Sequence, residues 1–344
     1  MIVSTFAKTF DWAGRATRRE ALIFVAFVLL ACAGAVAVDH ALDRGQVFVP
    51  RLVYLVAGLQ LPALVAVLLR RAHDAGFSGR WLVLMLLPAA GFFLLLFLLA
   101  APSRRRGRHS EAGTAGLAIG AALTLGTTLL CISRLVWAPY WASSASMAPT
   151  ILPGDYFAVA RPFGYAPARG DIIVFRDRAQ HADVTKRVVG LPGDRAQMKD
   201  GFLYLNDVAV LQTDAGNFTQ IMAPQGPAQT LPRCSNAPVG LGGACITARK
   251  TEVLPNGAAH DILDIGATPG DNTPVFTVPE GQYFVLGDNR DNSLDSRIAA
   301  DLGGGFVPAN RIIGSADRVL FSATGASLAY VWTWRAGRFL KALQ

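Results

Sequence analysis

The chain has 344 residues, 52% hydrophobic and 16% charged, with 32 Lys+Arg against 24 Asp+Glu and a formal net charge of +8. Soluble domains carry about 25% charged residues; the deficit sits in the apolar first third, which excludes a wholly soluble protein, and the length suits two domains. The basic surplus does not point to nucleic acid, because the arginines cluster beside apolar runs, at Arg18-Arg19, Arg70-Arg71 and Arg104-Arg105-Arg106, as membrane topology places them.

Four apolar runs follow one another: Ala21–Val38, Leu52–Leu69, Trp81–Ala101 and about Ala112–Trp137. Each is about the length that crosses roughly 30 Å of hydrocarbon. The first lies too far from the N-terminus for a cleavable signal, and no small-residue cleavage site follows it, so it is expected to stay in the mature protein. The positive-inside rule places Lys8–Arg19, Arg70–Arg80 and Arg104–Arg108 in the cytoplasm. The first two runs then form an out-and-back hairpin, while the third starts and finishes on one side. Two readings stay open. Either Trp81–Ala101 bends at Pro88 and Gly91 and re-enters, its freed backbone covered by protein, or it crosses straight and one loop breaks the rule.

Within this part, the stretch from Phe10 to Glu20 (FDWAGRATRRE) and that from Arg70 to Trp81 (RRAHDAGFSGRW) resemble signatures of a small bacterial inner-membrane family of unknown function. The resemblance covers about residues 6–101 and implies a membrane module without known chemistry. His73 and Asp74 could form a functional pair; capping and interfacial anchoring is the simpler reading.

The remainder of the chain reads as globular. Trp137 and Trp141 suit a membrane–water interface. A Ser-rich turn follows, from Ser144 to Asp155 (SASMAPTILPGD), and such stretches near Pro and Gly are ordinarily only turns. Arg169–Phe175 (RGDIIVF) is a strand entered from a turn. Val184-Thr185-Lys186-Arg187-Val188-Val189 sets a lysine in a β-favouring segment, where lysine normally faces solvent. Cys32 and Cys131 lie inside apolar runs and read as inert. Cys234 and Cys245 lie in a polar Gly/Pro-rich loop, close enough to bridge, and an oxidising compartment favours a disulfide. Residues about 212–265 lack strong periodicity and read as a surface insertion stapled by that pair. Gly240-Leu241-Gly242-Gly243 follows no clear strand, which argues against a nucleotide loop. The polar loop Gly287–Arg297 (GDNRDNSLDSR) lacks the spacing of an EF-hand. The five histidines are scattered, and neither a metal site nor a cofactor is expected.

A serine hydroxyl is a poor nucleophile until a neighbouring base takes its proton. No histidine accompanies these segments, and lysine can serve only when neutral, against an ordinary pKa of about 10.4. Burial beside Val184, Val188 and Val189 would lower that value by several units. Ser–Lys dyads are a variant of the triad logic.

In order and wording, SxSMxPT, RGDIxVF, KRVxGxPGD and GDNRDNSxDSR resemble bacterial signal peptidase I, also called leader peptidase, over about residues 135–320. The resemblance implies a membrane-bound serine endopeptidase that removes signal peptides from exported preproteins through an acyl-enzyme. It makes Ser146 the nucleophile, Lys186 the general base, and the Ser144 hydroxyl with the Ser146 N–H the oxyanion hole. Ser293 would orient the lysine, Asp295 and Arg297 would buttress the site, and Arg187 and Asp288 would pair. Ala142, Ser143, Met147 and Thr185 would line the substrate pockets. The family often has an aliphatic and Pro where Ala142 and Ser143 stand, and an aliphatic where Thr185 stands, so pockets looser or wetter than usual are expected.

The implied architecture is a membrane α-helical part, with residues 1–101 as module and 112–138 as anchor, followed by a mostly antiparallel β catalytic domain over 139–344. Its strands are expected at Asp171–Phe175, Thr185–Val189 and Gln282–Leu286, with a hairpin through Phe202–Val210 turning near Asn206-Asp207. Its place would be the bacterial inner membrane, multi-pass in the bilayer, with the catalytic domain periplasmic. Two rivals stand beside this reading: a dedicated processing peptidase with one narrow client, and a catalytically silent membrane scaffold, against which the intact Ser146 and Lys186 argue.

Overall fold

Helices fill the unit Met1–Leu135 and strands fill the unit Val136–Gln344. The computed structural model describes residues 1–12, 14–42, 51–86, 88–103, 114–162, 164–177, 179 and 182–343.

The first unit contains α1 (Ile2–Ala7), α2 (Arg18–Leu42), α3 (Leu52–Asp74), α4 (Pro88–Ala100) and α5 (Thr114–Ser133). α2 and α3 run antiparallel. At one end the Asp39 carboxylate accepts the N–H groups of Leu52 and Val53 at 3.0 and 3.1 Å, meeting two donors that a helix start leaves open. At the other end Arg70 lies 3.7 Å from Glu20. The seam joins Ala21 and Phe24 to Ala63, Val67 and Leu68, and small residues there let the backbones approach. Arg18–Ala41 and Leu52–Asp74, with mean hydropathies of 2.8 and 2.3, are long and apolar enough to cross a membrane.

The third apolar run is not one helix. Gly79–Leu86 forms a 3-10 stretch, and α4 starts at Pro88, where a missing N–H leaves no bond unmade. A Cβ on Gly91 would meet the Met85 Cα at 2.9 Å, so the backbone doubles back on itself. At its 13 residues, α4 reaches only about 20 Å. The excursion also ends where it began. Arg71 donates to the Ala101 carbonyl and to Asp74, and Ser103 donates to Asp74. Trp81–Ala101 is thus broken near Pro88, and these residues do not form one straight helix.

The second unit is built from β1 (Trp137–Trp141), β2 (Asp155–Ala160), β3 (Ile172–Asp177), β4 (Ala182–Gly190), β5 (Arg195–Lys199), β6 (Phe202–Leu205) and β7 (Val208–Ala209). It continues with β8 (Leu211–Ile221), β9 (Ala244–Val253), β10 (Ala259–Asp264), β11 (Phe276–Thr277), β12 (Gln282–Leu286), β13 (Val307–Pro308) and β14 (Ile312–Ser322). Seven strands form an antiparallel sheet in the order β1-β2-β14-β3-β4-β12-β13, and β11-β5-β6-β7 form a second sheet. The expected strands and hairpin are present. Asn206 and Asp207 take φ of 52° and 67° with Leu205 opposite Val208, the two-residue turn that strand twist favours.

β4 decides where the chemistry sits. Side chains alternate along a strand, so Val188 enters a core with Ile173, Phe175 and Val285, while Val189 enters another with Met198, Leu203 and Phe284. Lys186 shares the face of Val184 and Val188; Val189 points the other way and is not its neighbour on that face. β3 pairs with β4 from Ala182 to Arg187, but β12 covers only Arg187 to Gly190. Among the described residues no strand covers the second edge of Ala182–Lys186.

The insertion is more ordered than its sequence pattern indicates. It forms a third sheet, β10-β9-β8, and Cys234 is joined to Cys245. None of the 11 residues of β8 is buried, so no alternation of buried and exposed positions marks it.

Candidate active site

Ser146 lies in the turn region after β1 and is 8% exposed. Its main chain is held from outside: the Asn289 N–H donates to the Ser146 carbonyl at 3.1 Å, and Asn289 Nδ2 donates to the Ala145 carbonyl at 3.2 Å. The side chain is thereby left free for Lys186, which is 3% exposed and places Nζ 2.9 Å from Ser146 Oγ. Burial pushes the Lys186 ammonium down to about 8, against the opposing pull of Asp295 and Asp288. An amine at that value is a competent base near neutral pH. Ser144, an exposed residue, places its Oγ 3.2 Å from Ser146 Oγ.

Two carboxylates near a lysine would ordinarily keep it charged. Here both are occupied. Asp288 takes Arg187 Nε and a terminal nitrogen at 2.8 and 2.7 Å and the Thr150 hydroxyl. Asp295 takes Arg297 through both oxygens at 2.9 Å and the Gly287 N–H at 3.0 Å. Burial raises each carboxyl, and the guanidinium beside it outweighs burial and holds it below the usual carboxylate range. With each anion answered by its own cation, desolvation governs Lys186.

Ser293 behaves differently from the resemblance. Its Oγ is buried without a hydrogen-bond partner, so the orienting bond to Lys186 is not made in this structure. It packs instead against Gly287, where a Cβ would fall 2.3 Å from Ser293 Oγ and 2.6 Å from the Ser146 carbonyl oxygen. Glycine is required there by that close approach.

Ala142, Ser143, Met147 and Thr185 line one cleft of about 250 Å³ with Ser146 and Lys186. The cleft borders the uncovered edge of β4, which offers backbone groups to an extended chain. Sequence reasoning assigned no role to Gly287, Asn289 or Thr150. Their signal is only their place inside the segments that already carry Asp288 and Ser146; the contacts they make span about 140 residues of chain and leave no local pattern. The buried Glu252 of β9 and His260 of β10 were likewise hidden in a segment without periodicity.

Comparison with known proteins bears on these segments. Residues 114–321 match the family described as signal peptidase, peptidase S26, and residues 9–109 match a family of unknown function, DUF805. The signal peptidase I of Rickettsia prowazekii (strain Madrid E) is 34% identical over 223 residues, covering 56% of this chain and 75% of that protein. That of Rickettsia typhi (strain ATCC VR-144 / Wilmington) is 33% identical over 230 residues, covering 57% and 78%. A crystal structure of a signal peptidase I from Enterococcus faecalis V583 is 28% identical and covers 44% of this chain and 97% of its own, with a TM-score of 0.23. The family match spans every segment that builds the cleft, from the turn with Ser146 to the loop ending at Arg297, and on it the chain belongs to the signal peptidase family, peptidase S26, and is a serine endopeptidase.

Proposed function

We propose that this protein is a membrane-bound signal peptidase I that uses Ser146 as nucleophile and Lys186 as general base. The observation that carries the reading is the 2.9 Å approach of Nζ to Oγ by a lysine that burial holds near 8. The signal peptide enters extended along the free edge of β4, with small side chains in the cleft beside Ala142, Ser143, Met147 and Thr185. Neutral Lys186 accepts the Ser146 proton as Oγ attacks the scissile carbonyl carbon. The oxyanion that forms is met by the Ser144 hydroxyl and the Ser146 N–H. Lys186 then gives its proton to the leaving amine, the acyl-enzyme forms, and water activated by the same amine releases the signal peptide.

Its place is the bacterial inner membrane, multi-pass, with the catalytic unit on the periplasmic side and the DUF805-like part as a membrane module; α2 and α3, long and apolar enough to cross a bilayer, support the membrane residence. Exported preproteins are the substrates. The test is a cleavage assay of the purified protein on one preprotein, wild type against Ser146→Ala, with labelling by a serine-reactive β-lactam-type inhibitor. Processing and labelling by wild type alone are expected. Full cleavage by Ser146→Ala would reject the nucleophile, and absence of both from wild type would favour the silent scaffold.

A further inference from the structure

The segment that holds Ser146 from outside is itself held by the insertion, through a buried cluster that the reaction does not use. Asn289, which bonds the main chain of Ala145 and Ser146, is followed directly by Arg290. The Arg290 guanidinium is 5% exposed and meets Glu252, which is fully buried on β9, through two bonds of 3.1 and 2.5 Å. Gln212 of β8 donates to the same carboxylate at 3.0 Å, and His260 of β10 lies 3.4 Å from it. All three insertion strands thus converge on one charge pair.

The neighbours of that pair are fixed the same way. The Leu263 N–H donates to the Asp288 carbonyl at 2.8 Å. The Asp291 carboxylate accepts the N–H of Ile265 at 2.7 Å and the Thr268 hydroxyl at 3.1 Å. Arg233, next to the bridged Cys234, donates to the Asp291 carbonyl at 2.9 Å. Arg290 Nε turns back to the Gly287 carbonyl at 3.3 Å, and Arg297 donates to the Arg290 carbonyl. A loop anchored at 288, 290 and 291 has little freedom left at Asn289.

We infer that Glu252, acting through Arg290, is a positioning residue for the peptidase reaction: the insertion clamps the Asp288–Asp291 segment so that Asn289 holds Ser146 at its reacting distance from Lys186. Ordering a nucleophile to within a fraction of an ångström is worth orders of magnitude in rate, and a bidentate carboxylate–guanidinium pair fixes direction as well as distance. This inference rests on Ser146 and Lys186 being the dyad.

The test compares kcat and KM for preprotein cleavage by the full-length protein carrying Glu252→Gln, Glu252→Asp, or Glu252→Gln with Arg290→Gln. The double variant removes both buried charges together, so that neither is left alone. Ser146→Ala and Arg249→Gln, the latter on the same sheet but at its surface, are run alongside. Loss of kcat by 10- to 100-fold with KM within twofold is expected for the folded Glu252→Gln and double variants. A smaller loss is expected for Glu252→Asp, and wild-type kcat for Arg249→Gln. A folded double variant or Glu252→Asp with wild-type kcat would overturn the inference, as would a loss confined to KM or shared equally by Arg249→Gln. Should Glu252→Gln and the double variant fail to fold, Glu252→Asp decides alone. Activity surviving in Ser146→Ala would instead overturn the dyad itself.

Discussion

If Lys186 is the base, a value near 8 leaves it mostly protonated at pH 7, so most enzyme molecules would be idle there. For a base that acts only when neutral, kcat/KM should rise about tenfold per pH unit up to about 8 and level off above it; a profile flat from pH 5 to 9 would refute a lysine base. The same shift carries a stability consequence. Because the folded value lies below the ordinary 10.5, the unfolded chain binds the extra proton between the two, so the penalty is full below pH 8 and fades as pH rises toward 10.5. Lys186→Met should therefore abolish cleavage yet unfold later than wild type at pH 7, by up to about 3 kcal/mol, with the gap closing near pH 10.5 in denaturant titrations. Ser146→Ala and Lys186→Ala should each cost at least about 10⁴-fold in kcat, with the double variant little worse than either. Lys186→Arg should be inactive, since guanidinium stays charged. Ser144→Ala should retain a remnant, down about 10²- to 10³-fold. Gly287→Ala should lower both kcat and stability, the latter by about 1–3 kcal/mol, because its methyl has no room between Ser293 and Ser146. The two segments that meet where Lys186 Nζ lies 2.9 Å from Ser146 Oγ stand out in the sequence because fixed wording surrounds them. That Val184 and Val188 border the lysine while Val189 does not is legible only once the strand's pleat is known.

Among the elements, regular strands and the Asn206-Asp207 turn are readable because alternation and turn chemistry are local. Two elements are not. β8 buries none of its residues and scatters its few apolar ones without regular alternation, so its pattern does not separate it from a loop; pairing with β9 along nine of its residue positions makes it a strand. The stretch from Gly79 to Ala100 is apolar enough for a span, and composition alone does not say whether it is straight. Pro88 and Gly91 mark the break, and the return to Asp74 through Arg71 and Ser103 is a long-range fact. If α2 and α3 cross the bilayer, both ends of that excursion lie on the same side as the end of α3. Single cysteines at Ser78 and Ser103, in a chain lacking Cys32 and Cys131, should then both be shielded from an impermeant thiol reagent outside intact cells. Labelling of Ser78→Cys alone would show a crossing between the two.

For the whole molecule, the insertion is the part whose importance the sequence conceals most. Read from sequence as a surface insertion, it also buries Glu252 against Arg290, beside the Asn289 that bonds the Ala145 carbonyl, and it closes a loop of sequence separation 11 between Cys234 and Cys245. In native, unreduced protein neither cysteine should react with a thiol reagent. Replacing both by Ser should lower stability by about 3 kcal/mol on loop-closure grounds. Because Arg233 reaches Asp291 from beside that bridge, a modest fall in kcat should accompany the fall in melting temperature. The half-covered strand β4 has a last implication, for timing. If substrate adds to this edge as proposed, only chain that is still unravelled can join it, so a preprotein would compete with its own folding. One whose mature part begins with a slack, polar stretch would then stay cleavable long after export; one that folds tightly up to its cut site would close its own window.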